Sequence, residues 1–538
     1  MRELAIDAEL QANCRNAIQI NAENLRQIIS DNRDTEFGRA HGFAEITDIE
    51  EYRRRVPVMQ YLDVHPYIER MRAGEENVLT VYPIVSYCNT SGTEGEAKFI
   101  PVSHTALERY SNYFERYKNS VLRAAGGKRL LINAFRTDLN KKIEPVSLFS
   151  EIYFRYLYES GMMKMDEFIG GVDSIFIEGA EDILYAKVWQ AIVVPDFILL
   201  ECQFLYEMLV FFHYFEANWR KIIDDIRARR IPEQIILPET LRAQLLAMPV
   251  SEERLAKVEA ECSQGFDNIA KRLWPSLRQV SGVSNRAYRT EAHTLSRYIG
   301  DIPQYYLCYC ASECYFGAPI RENDFGYVLI PQNAFFEFLP YEADGEAEDA
   351  LLPHELEEGE LYEPIVTNFS GLYRYRLGDV VRVVGFYEQS PIIEFAFRKR
   401  QVLNIAGEKI GIRQLEDTIG NLRERGYDVA QYCFGVSLET IPGHYVVAMT
   451  LSGKQADPET LAEALDTSLQ ECNPDYQDLR GLREILPPEV MLFDSKSYSE
   501  FLVSIGLMKR HGHNKPKYIF PGEVSAKKWK ECSKQYGK

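Results

Sequence analysis

Apolar residues recur at helical spacing near the N-terminus, where Ile18, Ile20, Leu25, Ile28 and Ile29 mark one stripe of a helical region within residues 1–33. Asp63 precedes a second helical stretch, Val64 to Ala73, which Gly74 ends. The apolar run Val78 to Val85 suits a strand. From Leu130 to about Arg286, short apolar runs alternate with long amphipathic stretches such as Val188–Ile223 and Arg242–Trp274. That pattern predicts an α/β domain with helices covering sheets. Tyr306 to Gly317 reads as a strand ending in a polar turn, Phe325 to Leu339 as a strand–turn region, and Val381 to Tyr387 as β-rich. Beyond the basic triplet Arg398-Lys399-Arg400, helices are predicted over Arg413–Arg425 and Pro458–Leu469, and strands over Val429–Val436 and Tyr445–Leu451. A chain of 538 residues exceeds what one core usually supports. The division expected is a large N-terminal α/β domain, residues 1–397, and a smaller C-terminal α+β domain, residues 398–538.

A net charge of -19 argues against a nucleic-acid or anionic-membrane partner, since both need a basic face. The longest apolar candidate for a membrane span, Ile192 to Phe212, is broken by Pro195, Asp196, Glu201, Gln203 and Glu207. Ten cysteines lack framework spacing and the first residues carry no apolar leader, so a reduced, cytoplasmic protein is expected, with a monomer favoured. Cys308, Cys310 and Cys314 alternate with Tyr305, Tyr306, Tyr309 and Tyr315, which reads as a buried strand rather than a metal cluster. The acidic run Glu342 to Glu360 reads as a solvated loop.

Three stretches carry candidate chemistry. Thr90, Ser91, Gly92, Thr93 and Gly95 gather hydroxyls and flexible backbone after an apolar run, and Lys98 adds a positive charge. Such a loop can turn backbone N–H groups onto an anion. Ser103 is a good N-cap for the helix that follows, and a nearby helix N-terminus favours negative charge. The spacing is not that of a P-loop ATPase, because Gly-x-x-x-x-Gly-Lys-Ser/Thr is absent. In the second stretch Glu313 stands among aromatics, where a cation such as Mg²⁺ would satisfy it if buried; the alternative is a rim glutamate in water. In the third, Asp379 after Gly378 can present a carboxylate to a sugar diol, or simply mark a turn.

Taken together, these stretches resemble the auxin-responsive acyl acid amido synthetases, a branch of the acyl-adenylate-forming superfamily with a luciferase-like architecture. Thr90-Ser-Gly-Thr-Glu-Gly-Glu-Ala-Lys98-Phe-Ile-Pro101 is similar to the family's phosphate loop. Tyr309-Cys-Ala-Ser-Glu-Cys-Tyr-Phe-Gly317 and Gly371-Leu-Tyr-Arg-Tyr-Arg-Leu-Gly-Asp379 resemble its next two motifs, and Phe397-Arg398-Lys399 its hinge. The approach Val56-Pro-Val-Met-Gln-Tyr61 and the segment Phe335 to Pro340 are also similar. The resemblance implies that Ser91, Gly92, Thr93 and Lys98 meet ATP phosphates, that Tyr309 stacks on adenine, and that Ser312 touches the α-phosphate. It further implies that Glu313 helps hold Mg²⁺, that Asp379 binds the ribose hydroxyls with Arg398 nearby, and that Lys515 contacts phosphate and carboxylate during adenylation. Glu94 stands where relatives have Ser or Thr. The ending Asn514-Lys515-Pro516-Lys517 departs from Lys-x-Pro-Arg, which leaves Lys517 as the alternative to Lys515.

The implied activity is that of an AMP-forming ligase, using ATP and Mg²⁺, that activates a small carboxylic acid as acyl-AMP and passes the acyl group to an amine, an amino acid by resemblance. Acyl-CoA synthesis through the same adenylate is the second enzyme reading, and a nucleotide-binding protein without catalysis is the reading from another class. The aromatic segment Val283 to Tyr309, with Tyr288, Tyr298, Tyr305 and Tyr306, is the expected wall of the acyl pocket.

Overall fold

The computed structural model describes residues 8–91, 97–111, 127–132, 145–147, 149–175, 177, 179–284, 295–341, 350–398, 403–452, 456–505, 507 and 518–536. They divide into two compact units, a larger one from residues 1–90 and 98–395 and a smaller one whose main body is 396–538.

The larger unit is built on three sheets. In the first, strands Ile84–Ser91 and Ala97–Ser103 are neighbours, and Val146–Ser147 pairs with the former in parallel. The second is a four-stranded parallel sheet in the order Arg129–Leu131, Leu199–Phe204, Gln279–Val283, Gln304–Tyr306. Helices Ala180–Val193 and Leu205–Arg227 pack beside it, as parallel sheets require, and Glu252–Ser263 packs on those two helices. The third sheet has eight strands. Its path runs Phe335–Pro340, Leu361–Thr367, Asp379–Tyr387, Ser390–Arg398, Tyr327–Leu329, Tyr315–Pro319, Tyr309–Cys310, with Tyr375–Arg376 beside Leu361–Thr367.

Three expectations are corrected. The strand assigned to Val78–Val85 begins instead at Ile84: Asn77 has φ +56, the Tyr82 amide turns back onto the Thr80 hydroxyl, and Pro83 interrupts pairing. Val78 and Leu79 are buried all the same. Val188–Ile223 is not one amphipathic element, because Pro195 ends the first helix and a buried strand, Leu199–Phe204, intervenes before the next. Ile18 is 43% exposed, since the helices Ala8–Arg15 and Ala17–Asn32 break at Asn16 and the buried face becomes Ala17, Asn21, Asn24, Leu25, Ile28 and Ile29.

The asparagines on that face cover a sheet edge. Asn21 donates to the Phe336 carbonyl and accepts from its amide, and Asn24 donates to the Pro331 and Ala334 carbonyls. On the edge strand Phe335–Pro340 the outer polar groups are thereby satisfied by a side chain at Phe336 and by the Leu351 backbone at Phe338.

A buried ion network ties this edge to the turn at 368–376. Arg374, fully buried and at φ +41, donates from Nε to Glu337 Oε2 at 3.0 Å and from Nη1 to the Val56 carbonyl at 3.0 Å. Arg53 Nε meets the other Glu337 oxygen at 2.9 Å.

The smaller unit follows its sequence pattern closely. Strands run in the order Glu489–Phe493, His444–Leu451, Val429–Ser437, Ile519–Glu523. Along His444–Leu451, Tyr445, Val447 and Met449 pack with helices Ile412–Glu424 and Pro458–Cys472, while Val446 and Ala448 pack with helices Ser495–Ser504 and Ala526–Tyr536. Period-two alternation sorts the side chains between two helical layers.

Two outcomes follow from the buried charges. Arg374→Met, which leaves the Glu337 carboxylate buried, is expected to lower unfolding free energy by about 3–5 kcal/mol; a urea-denaturation loss below about 1 kcal/mol would contradict the network's role. Lys187 is wholly buried, donates to the Ser174 carbonyl at 2.6 Å, and is pushed down to about 7 by burial. The unfolded chain then holds the extra proton between pH 7 and about 10.5, so stability rises with pH across that window. Lys187→Met should raise the melting temperature most at pH 7 and below, and the gain should shrink towards pH 10. A gain independent of pH would contradict the assignment.

Candidate functional site

The glycine-rich loop joins two neighbouring strands, Ile84–Ser91 and Ala97–Ser103. Its centre, with Gly92, Thr93, Glu94 and Gly95, lies outside the described residues, and Ser91 is placed as the last residue of its strand. The helix expected after Ser103 starts there, its first turn capped by the Ser103 hydroxyl, which accepts from the Ala106 amide at 3.1 Å, and the strand Ala97–Ser103 stands between it and the loop. The loop therefore lies between strands, a seven-residue strand away from the helix N-terminus.

Lys98 is half-buried, with Nζ 5.5 Å from the Tyr61 ring centroid. The Phe99 amide donates to the Tyr61 hydroxyl at 2.8 Å, and the Arg72 guanidinium lies 3.6 Å over the Phe99 ring. The first and last residues of helix Tyr61–Arg72 thus hold the strand at Lys98 and Phe99, through two cation–π contacts and one hydrogen bond from a backbone amide to the Tyr61 hydroxyl.

Tyr309 and Asp379, 70 residues apart, meet: the Tyr309 hydroxyl donates to Asp379 Oδ2 at 3.0 Å. Their strands lie four spacings apart along the eight-stranded path, about 19 Å in a flat sheet and far beyond the reach of the two side chains. The sheet is curled, and its concave side is filled by rings. Tyr309 stacks on Phe316 at 4.8 Å, lies 6.2 Å from Phe395 and 6.4 Å from Tyr327, and Phe316 reaches Phe336 from the opposite end of the sheet at 5.8 Å. Gly317 permits the tight strand contact, since a Cβ there would come within 2.9 Å of both Tyr327 Cβ and the Val328 carbonyl. Gly378, at φ +85, turns the chain into Asp379, which is 4% exposed.

Ser312 is drawn to the first motif. Its hydroxyl lies 3.1 Å from Cys88 Sγ, on the strand that leads into the glycine-rich loop. Glu313 is half-buried, and its carbonyl accepts from Asn368 Nδ2 at 2.7 Å. The Asn368 Oδ1 accepts from the Ser370 and Leu372 amides, so one side chain links the turn of the second motif to that of the third. Sequence reasoning missed Cys88, Tyr61 and Asn368. The Asn-x-Ser-Gly pattern at Asn368 was the available signal; nothing local marks Cys88.

The Arg398 backbone ends the strand Ser390–Arg398, while Lys399, Lys515 and Lys517 lie outside the described residues. Among the described residues no group of three or more His, Cys, Asp or Glu is arranged to hold a metal. A single half-buried carboxylate such as Glu313 fits a Mg²⁺ that takes its other ligands from nucleotide phosphates and water, which is how that ion is usually held. Cys308 and Cys314 are buried, and the neighbouring Cys308 thiol together with burial pushes the Cys310 thiol up. The expected acyl wall is partly corrected: Tyr298 stacks on Phe212 at 5.0 Å and its hydroxyl donates to Glu216, so it belongs to the helical core. Tyr306 stacks on Phe325 at 4.4 Å, and Tyr288 lies outside the described residues.

Comparison with known proteins adds three matches in chain order: the GH3 family N-terminal domain over residues 7–304, its central domain over 327–398 and its C-terminal domain over 413–521. The chain is 28% identical to the indole-3-acetic acid-amido synthetase GH3.8 of Oryza sativa subsp. indica, across 85% of this chain and 80% of that one. It is 26% identical to the jasmonoyl--L-amino acid synthetase GH3.5 of Oryza sativa subsp. japonica, across 92% and 90%. Its fold matches that of the AtGH3.15 acyl acid amido synthetase in complex with 2,4-DB, with a TM-score of 0.65 at 24% identity over 98% of this chain and 95% of that one.

Asn368→Ala would leave the Glu313 carbonyl and two amides without their partner. An unfolding free energy lowered by about 2–4 kcal/mol is expected in urea titration, and a neutral result would contradict its bridging role.

Proposed function

The chain belongs to the GH3 family, and on that premise we propose that it is an ATP-dependent acyl acid amido synthetase joining a small carboxylic acid to an amino acid. The observation that supports this most is the meeting of Tyr309 with Asp379 and of Ser312 with Cys88, which joins the second motif both to the third and to the strand leading into the first.

In the first step a carboxylate oxygen attacks the α-phosphorus of ATP, the bond to the pyrophosphate oxygen breaks, and acyl-AMP forms. In the second an amine adds to the activated carbonyl carbon, gives up a proton, and AMP leaves. Both partners in the first step are anions, so the catalytic work is positioning and charge stabilisation. Asp379 takes the ribose hydroxyls with Arg398 beside it, and Tyr309 meets the adenine. The Ser312 hydroxyl, held by Cys88, faces the α-phosphate. Ser91, Gly92 and Thr93 cradle the remaining phosphates, with the Lys98 ammonium gripped from beneath by Tyr61. Lys515 neutralises phosphate and incoming carboxylate. Glu313 would hold Mg²⁺, which when bound supplies further neutralisation of phosphate charge.

The names of the rice relatives, an indole-3-acetic acid-amido synthetase and a jasmonoyl--L-amino acid synthetase, support a carboxylic acid donor and an amino acid acceptor. The ten free cysteines suit a reducing compartment, and we place the reaction in the cytoplasm.

AMP release is expected only when a carboxylic acid and an amino acid are both supplied, with an amide product identified by mass. Release driven by coenzyme A in place of the amine would redirect the reading to acyl-CoA synthesis. Lys98→Ala and Lys515→Ala are each expected to slow acyl-AMP formation by roughly 10²–10³-fold, the scale for losing one charge-stabilising donor. A near-normal single-turnover rate in Lys515→Ala would move that role to Lys517.

A further inference from the structure

The third motif reaches Asp379 through a break in sheet register. Strand Leu361–Thr367 pairs Ile365 with Arg376 on one side of the break and Tyr362 with Val381 on the other. Two residues, Glu363 and Pro364, therefore face four, Leu377 to Val380, and the longer side bulges out with Gly378 at φ +85 and Asp379 within it. The ladder is thinned at the same place. Phe338, the partner of Pro364, turns its amide and carbonyl outward to Leu351, so by antiparallel alternation the backbone of Pro364 faces the bulge, where proline has no N–H to donate. A side-chain clamp stands there. Arg376 Nε donates to Glu363 Oε1 at 2.8 Å and Nη2 to Glu363 Oε2 at 2.7 Å, and the Glu363 side chain is 1% exposed. Such a two-point contact fixes direction as well as distance, which a single ammonium does not.

We propose that the Arg376–Glu363 pair is a positioning device for nucleotide recognition: by clamping the entry of the bulge to the shorter strand, it places the backbone that carries Asp379 to the ribose hydroxyls of ATP. Arg376 is a positioning residue, since it acts through the chain rather than on the substrate. The clamp sets where the Asp379 backbone stands; the contacts of the carboxylate itself, the Tyr309 hydroxyl among them, act on a side chain already in place. The turn at 368–376 is anchored by Arg374 and Glu337, so a second buried pair two residues further on has the bulge as the segment left to fix. This inference rests on the assignment of Asp379 to the ribose.

Equilibrium binding of ATP and of 2′,3′-dideoxy-ATP to the full chain, each with Mg²⁺ and no acid or amine, tests the proposal and its premise separately. Unaltered protein should prefer ATP. Arg376→Lys keeps a positive charge beside Glu363 but loses the two-point clamp. It is expected to weaken ATP about tenfold, the scale of one lost hydrogen bond to a charged group, while dideoxy-ATP affinity stays within about twofold. Asp379→Asn should abolish the preference for ATP. If Asp379→Asn leaves the preference intact, the ribose assignment itself is wrong. If it abolishes the preference while Arg376→Lys weakens both nucleotides alike, or neither, the assignment stands and the positioning role is overturned, whatever the change in melting temperature. Glu363→Gln supplies a second arm should Arg376→Lys fail to fold, because it removes one of the two accepting oxygens and leaves Arg376 in place. A reduced preference for ATP in that variant supports the proposal, and a preference kept at its full value overturns it.

Discussion

The contact between Arg374 and Glu337 is the one on which the larger unit most depends. Two opposite charges are buried together; removing Glu337 leaves the Arg374 guanidinium without its counter-charge, and removing Arg374 leaves the buried carboxylate with Arg53 as its remaining ion-pair partner among the contacts described. The same guanidinium takes the Arg53 and Val56 carbonyls, and the Arg374 carbonyl and Arg376 amide pair with Met59. That run leads into helix Tyr61–Arg72, which grips the strand of Lys98. On its other side Arg374 closes the turn begun by Asn368, which holds the carbonyl of Glu313, and the chain continues to Asp379. One ion pair therefore anchors the supports of all three motifs.

The positive φ of Arg374 belongs to this logic. A non-glycine residue in the left-handed region is strained by its Cβ, and such strain persists where surrounding contacts over-determine the conformation. Here the guanidinium makes four hydrogen-bonding contacts and the Arg374 amide donates to the Thr367 hydroxyl, which in turn meets Tyr52. Curling of the eight-stranded sheet works at the other end of the site. Rings from both ends of the sheet fill its concave side, and the curl is what brings Tyr309 within hydrogen-bonding distance of Asp379.

Legibility differs between the two units for a physical reason. In the smaller unit, strands buried on both faces alternate regularly between two helical layers, and each helix has a local start such as Asp457 before Pro458. Local pattern and tertiary position agree there, and the elements Arg413–Arg425, Val429–Val436, Tyr445–Leu451 and Pro458–Leu469 fall within a few residues of those observed. In the larger unit, burial is not a guide to secondary structure. Val78 and Leu79 are buried in irregular backbone because the Phe37 amide donates to the Val78 carbonyl and the Tyr373 hydroxyl to the Leu79 carbonyl in place of strand pairing. The asparagines of the helix Ala17–Asn32 are buried because they satisfy a sheet edge more than 300 residues away, which no local polarity scale anticipates.

By itself the sequence determined the family, the order of the motifs, and the candidates for nucleotide chemistry, since each motif is a short run whose composition declares its turn, hydroxyl or carboxylate. Only the tertiary structure decided which of those residues touch. That Tyr309 meets Asp379 depends on sheet curl, that Ser312 meets Cys88 depends on the placing of one sheet against another, and that Lys98 rests on Tyr61 depends on a helix held by a distant ion pair. These are contacts across large separations in the chain, set by packing and buried charge, and no window along the sequence contains both partners.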